Sequence, residues 1–307
     1  MSSRTIALLT LVLASFLWSS AGVVAKILLP LYTPFPLAAA RYVLATLFIL
    51  PFFWKGHSKQ WQKLLSQGFW VGLLSAGNIA FYYLGLTKTT VNASVIIYTA
   101  TPLVVAAISY FLLSERLSKQ KTVAILIGFL GVLITLILPI LQKGQSISGD
   151  FLGNIYIVFA LVCFALYTIY SRYLITKKQY SPIAVTTMTL FITAVIFVLL
   201  TMFITPFRFT PTIVKPTNLL LLLHLALFVT VATYLLYQWA IKHSSSTTAS
   251  FTVYLQPVFS FALAIIFLRE PFTVGYTVGS ALVFIGVALF TGTKAFASLK
   301  ELLKLKA

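Results

Sequence analysis

Arg41 is the one formal charge lying well inside an apolar stretch of this 307-residue chain. It follows Pro34 by seven residues, about 10 Å along a helix that rises about 1.5 Å per residue. A guanidinium at that depth can pair a carboxylate through its planar fork. Alternatively it bonds helix-end carbonyls or snorkels to a membrane interface. His224, six residues into a later apolar stretch, is a second titratable group in such a place. An imidazole there can carry a proton through a working cycle, or serve as a hydrogen-bonded packing residue.

Aromatic and amide side chains supply the remaining chemistry. Trp18, Asn78, Tyr82, Tyr83, Tyr167, Tyr170, Tyr234, Tyr237 and Gln238 fall mid-stretch, and Tyr98, Thr101, Tyr254 and Gln256 precede a proline. Pairs such as 78/82 and 234/238 are one helical turn apart and share a face. The result is a stripe of π faces with hydroxyl and amide tips, suited to a neutral or zwitterionic organic molecule; plain packing is the competing reading. Tyr32, Tyr110, Tyr173 and Tyr180 lie near stretch ends and read as an interfacial belt. Pro102 and Pro257 break the helical ladder and free the carbonyls of Tyr98 and Val253, so each is a hinge or a static kink.

Acids are scarce. Glu115, Asp150, Glu270 and Glu301 are the four carboxylates, and Glu115 and Glu270 fall at stretch ends, where they read as caps on the next helix. A cation–proton exchanger with an embedded carboxylate is therefore disfavoured. So is a metal-dependent membrane enzyme, which needs clustered acids or histidines, and no metal or cofactor is expected. No Gly-rich Lys-Ser/Thr phosphate loop is present, so ATP is not expected to drive the protein.

The elements that hold these residues follow from composition. Apolar residues make up 60% of the chain, charged residues 8%, and mean hydropathy is +1.01, which excludes a soluble globular enzyme. Cys163 is the only cysteine and forms no internal bridge. The apolar runs are too long for alternating barrel strands, so the chain reads as an all-α membrane protein. Ten spans are expected, at 5–28, 34–54, 68–87, 91–113, 120–140, 151–171, 182–204, 218–240, 246–268 and 273–293. The first resembles a signal peptide near Ser19-Ser20-Ala21, but its apolar run continues to Leu29, too long for that role. Counted by alternate loops, Lys and Arg divide 15 to 6, which places both termini in the cytoplasm of a cell-membrane protein. The net charge of +18 thus orients helices; no basic helix or groove for nucleic acid is expected.

The chain also repeats itself. Pro102/Pro257, Glu115/Glu270, Gly131/Gly286 and Tyr82/Tyr237 share an offset of 155, and Lys26/Arg172 and Pro36/Pro182 share one of 146. Two five-span halves, 1–146 and 147–294, precede a basic tail at 295–307. Five is odd, so the second half enters the membrane from the opposite side, giving two inverted repeats. Gly275 and Gly279 form a Gly-xxx-Gly pattern for close helix contact, either internal or in a homodimer.

Together with Phe16-Leu17-Trp18 and Ala38-Ala39-Ala40-Arg41-Tyr42, these paired motifs resemble the two EamA domains of the drug/metabolite transporter superfamily, from about residue 6 to 293. The helix ends depart from the usual Gly-Glu, with Ser114-Glu115 and Arg269-Glu270, and Thr187 stands where the first half has Arg41. The resemblance implies ten helices around a central cavity and transport of a small organic solute, most often outward. It also implies an arginine at position 41 whatever the substrate, which favours a structural role for Arg41. The expected protein is a secondary exporter of small metabolites such as amino acids, working by alternating access within the lipid bilayer. A membrane enzyme acting on a lipid-linked substrate is the alternative, and a non-transporting scaffold a third reading.

Overall fold

The computed structural model describes residues 3–57, 61–89, 91–113, 117–142, 150–205, 214–259, 262 and 274–291. The expectations for Glu115, Glu270, Glu301 and the tail at 295–307 lie outside them. The described elements are helical. They comprise α1 (Ser3–Ser19), α2 (Ala21–Tyr32), α3 (Pro34–His57), α4 (Trp61–Lys88), α5 (Val91–Tyr98) and α6 (Thr101–Leu113). They continue with α7 (Lys119–Gln142), α8 (Phe151–Thr176), α9 (Pro182–Phe203) and α10 (Pro216–Leu223). A π-helical segment (His224–Ala232) joins α10 to α11 (Thr233–His243), followed by α12 (Ser246–Phe251), a 3₁₀ turn (Thr252–Tyr254) and α13 (Val274–Thr291).

Among the described residues, six helical stretches are long and apolar enough to cross a membrane: Ile6–Tyr32, Pro34–Gly56, Leu64–Lys88, Phe151–Thr176, Pro182–Phe203 and Pro216–His243. Their outer surfaces are apolar. Phe203 is 80% exposed, and Phe111 on the shorter apolar α6 is 79% exposed, an arrangement that suits hydrocarbon rather than water.

Two of the expected spans are interrupted. The first breaks at Ser20, between α1 and α2, and the stretch expected at 91–113 breaks at Thr99–Ala100. There the chain makes a tighter turn, with the Ala100 N–H reaching Ile97. Neither break is visible as a loss of apolarity. Helix ends follow ordinary capping: Asp150 accepts from the Gly153 N–H at the start of α8, and Ser181 accepts from Ala184 ahead of Pro182 at the start of α9.

Helix pairing is reciprocal. α4 packs along α8 as α1 packs along α11, while α3 lies on α9 and α7 on α13. The last contact is backbone-close. A Cβ on Gly131 would stand 2.7 Å from the Gly279 carbonyl, and one on Gly286 would stand 2.8 Å from that of Ala124. Gly279 is thus engaged inside the chain, against α7. Cations close two helix ends: Lys26 Nζ bonds the Leu86 carbonyl at 2.5 Å in α4, and Arg172 Nη1 bonds the Ile241 carbonyl in α11. The turns at Thr33 and Gln179 both have positive φ, 60° and 59°.

Candidate functional site

Arg41 lies on α3, in the middle of the bundle, 3% exposed. It does not reach outward. Its Nε donates to Thr230 Oγ1 at 2.6 Å, Nη1 to the Tyr83 hydroxyl at 3.0 Å and Nη2 to the Val229 carbonyl at 3.3 Å. The π geometry contributes directly. With i→i−5 bonding the helix is widened, and Thr230 Oγ1 donates five residues back to Leu225 while accepting from Arg41. These partners are neutral. Among the described residues the only carboxylate is Asp150, which caps α8, so no ion pair with Arg41 is made there.

Beside Arg41 opens a cavity of about 110 Å³. Arg41 on α3 and six other parts of the chain form its walls. Trp18 and Ala21 lie at the α1–α2 break, Asn78 and Tyr82 on α4, Ser94 and Tyr98 on α5, Phe164 on α8, Tyr234 on α11, and Gln256 and Pro257 beyond the 3₁₀ turn. Trp18 meets Phe164 and Tyr234 edge to face, with centroids 6.0 and 6.4 Å away, and Tyr82 meets Tyr98 likewise at 5.6 Å. Asn78 Nδ2 donates both to the Ala160 carbonyl at 2.8 Å and to the Tyr98 hydroxyl at 2.5 Å. A carbonyl only accepts, so the amide orientation is set by its partners, and Oδ1 is left as an acceptor at the cavity wall.

Of the residues the sequence marks for substrate, Trp18, Arg41, Asn78, Tyr82, Tyr98 and Gln256 line this cavity, and Pro257 of the two prolines does so. Thr101, Tyr167, Tyr237, Gln238 and Tyr254 do not. Thr101 Oγ1 donates to the Tyr98 carbonyl at 2.6 Å, satisfying the group that Pro102 would otherwise leave open. Tyr167, Tyr237 and Gln238 form a buried polar layer beneath the aromatic wall, in which Gln238 Oε1 has no partner among the described residues. Gln238 Nε2 bonds the Tyr167 hydroxyl at 2.6 Å and Ser171 at 2.9 Å, and Thr168 bonds Tyr237 at 3.0 Å. Tyr254 packs against Phe251 and Gly128 in a separate cluster. Pro102 follows the break between α5 and α6, whereas Pro257 follows a continuous 3₁₀ turn.

His224 opens the π segment, and its Nε2 lies 2.8 Å from Ser20 Oγ, at the α1–α2 break. That hydroxyl also lies 2.9 Å from the Leu17 carbonyl. The Ser20 hydroxyl hydrogen serves either Leu17 or His224, and the imidazole tautomer decides which. Sequence reasoning missed Ser20, Ser94, Phe164 and Thr230. Phe164 was within reach, because it stands 146 positions after Trp18.

The fold and the cavity define a class, polytopic membrane proteins that enclose a small polar-aromatic chamber between helices. The chain belongs to the EamA-like transporter family, whose pattern matches twice, over residues 5–137 and 151–292. Similar proteins include an uncharacterized transporter of Archaeoglobus fulgidus, 27% identical over 95% of this chain and 98% of its own length. The uncharacterized transporter YyaM of Bacillus subtilis is 27% identical over 87% of this chain and 88% of its own. A chloroplastic WAT1-related protein of Arabidopsis thaliana is 24% identical over 89% of this chain and 66% of its own. A crystal structure with 20% sequence identity superposes with a TM-score of 0.75, covering 92% of this chain and 95% of the other.

Proposed function

We propose that this protein is a secondary transporter that exports small organic metabolites bearing a carboxylate, amino acids and their relatives, by alternating access. The observation that carries the reading is Arg41, a buried guanidinium held by neutral partners at the wall of an aromatic cavity. A carboxylate entering the cavity neutralises a charge that the described residues leave uncompensated. Trp18, Tyr82 and Tyr98 then provide ring faces for the apolar part of the solute.

Ten spans in two inverted five-helix halves, with both termini in the cytoplasm of a cell-membrane protein, complete the proposal. The reciprocal pairings of α4 with α8 and α1 with α11, and the matching contacts of Gly131 with Gly279 and of Gly286 with Ala124 across α7 and α13, support two equivalent halves. An odd number of helices in each makes them antiparallel, and exchange of their conformations moves the cavity from one face to the other. Pro102 and Pro257 are the bending points. His224, bridged to the α1–α2 break through Ser20, is the coupling residue.

The test is efflux of a labelled amino-acid panel from proteoliposomes, with and without an imposed pH gradient. Efflux that accelerates with the gradient, and loses that dependence in His224→Gln, is the expected result. Efflux indifferent to pH makes the protein a facilitator and returns His224 to packing. Absence of flux for every organic acid tested removes the substrate class.

A further inference from the structure

The charge balance of the cavity is more selective than its shape. Empty, the cavity wall carries one positive charge, that of Arg41, and none of its lining residues is Asp or Glu. A zwitterionic amino acid cancels that charge with its carboxylate but brings an ammonium, so the occupied cavity again carries one unpaired positive charge. An organic monoanion leaves it neutral. Burying a cation among neutral groups is costly, and a second cation nearby raises the cost further. The faces of Trp18 and Tyr82 compensate only part of it.

The other polar groups point the same way. Asn78 presents Oδ1 alone, because Ala160 and Tyr98 hold its amide hydrogens. It therefore asks for a donor, and a neutral O–H or N–H satisfies it without adding charge. Gln256 lines the cavity with an amide that offers both donor and acceptor, so it selects for neither charge.

We infer that the preferred solutes are organic monoanions carrying an aromatic or apolar body and a neutral hydrogen-bond donor near the carboxylate, with Arg41 reading the carboxylate and Asn78 the donor. Zwitterionic amino acids rank below them. This rests on the transporter reading above and narrows its substrate class.

The experiment uses the full-length protein in proteoliposomes, with labelled 2-hydroxy-3-phenylpropanoate as the moving solute. Competitors are phenylalanine, in which an ammonium replaces the hydroxyl, 3-phenylpropanoate, which lacks the donor, and phenylalaninamide, which lacks the anion. The hydroxy acid is expected to half-saturate flux at a concentration about tenfold lower than phenylalanine, with 3-phenylpropanoate between them and the amide weakest. Asn78→Leu is expected to erase the gap between the hydroxy acid and 3-phenylpropanoate. Should Asn78→Leu fail to fold, the ranking in the unaltered protein decides. Phenylalanine equal to or better than the hydroxy acid overturns the inference, as does a gap that survives Asn78→Leu. If amino acids move and no monoanion competes, the inference fails while the transporter reading stands. If no solute moves at all, the transporter reading itself fails.

Discussion

Lys26 and Arg172 stand 146 positions apart and do the same work in the two halves of the chain. Each cation closes the carbonyl end of a helix, at Leu86 and at Ile241, and those two residues are themselves 155 apart. The turns at Thr33 and Gln179 match in the same way, down to their positive φ. Five residues before Lys26, and five before Arg172, the likeness stops. The first half has Ala21 and Gly22, and the second has Tyr167 and Thr168. Beside the small residues lies the cavity, whereas Tyr167 and Thr168 are buried and bond Gln238 and Tyr237. The frame is repeated and its contents are not, so one half furnishes most of the chamber while the other furnishes a packed layer. Arg41 and Thr187 are the sharpest instance: one is a charge with three hydrogen bonds, the other a buried hydroxyl with no partner among the described residues.

Substitutions at matched positions separate frame from contents. The largest effect is expected at Arg41. Arg41→Gln should lower carboxylate flux about a hundredfold, as loss of one member of a buried charged contact does. Flux per folded molecule in proteoliposomes measures it, and flux that falls only in step with folded protein would make Arg41 part of the frame. Next come Gly131→Ala and Gly286→Ala. Each new methyl meets backbone that cannot step aside, so each should cost about 2 kcal/mol, read as a lowered unfolding temperature in detergent. Equal losses are expected, and a large inequality breaks the equivalence of α7 and α13.

Gly22→Thr gives the first half the side chain that Thr168 supplies in the second. A Cβ there stands 3.0 Å from the Tyr82 hydroxyl, so the cavity narrows and flux should fall about tenfold with little change in unfolding temperature. Undiminished flux would show that this edge of the cavity is not on the solute's path. The smallest effect belongs to Thr187→Val. Removing an unpaired buried hydroxyl should raise stability by about 1 kcal/mol and leave flux unchanged, checked by thermal unfolding and the same flux assay.

Much of the frame could be read in the sequence because apolarity and helix-ending residues report it directly. Pro34, Pro182 and Pro216 begin helices, and Asp150 caps one. The breaks at Ser20 and at Thr99–Ala100 were not legible, since hydropathy is the same on either side of them. The cavity was legible only in part. Helical spacing puts Asn78 beside Tyr82 and Tyr234 beside Gln238, but it says nothing about which of two equivalent faces is filled. That depends on side chains across the gap, such as Ala21 against Tyr167. Hence Trp18, Asn78, Tyr98 and Gln256 stand at the wall, while Tyr237 and Gln238 lie behind it and Tyr254 packs in a separate cluster.

The π segment at His224–Ala232 has a consequence for how this chain tolerates change in length. A helix wound with i→i−5 bonds holds more residues per turn than an α-helix. Removing one residue from it leaves a continuous helix, whereas the same deletion in α3 or α9 throws a straight α-helix out of register. The loss would not be silent. The wide turn would tighten to α geometry, which removes the five-residue reach by which Thr230 Oγ1 bonds Leu225 while accepting from Arg41. It would also take the Val229 carbonyl out of reach of Arg41. In this stretch of chain, length is a determinant of what Arg41 can reach, and a single codon separates a helix that serves the cavity from one that merely crosses the membrane.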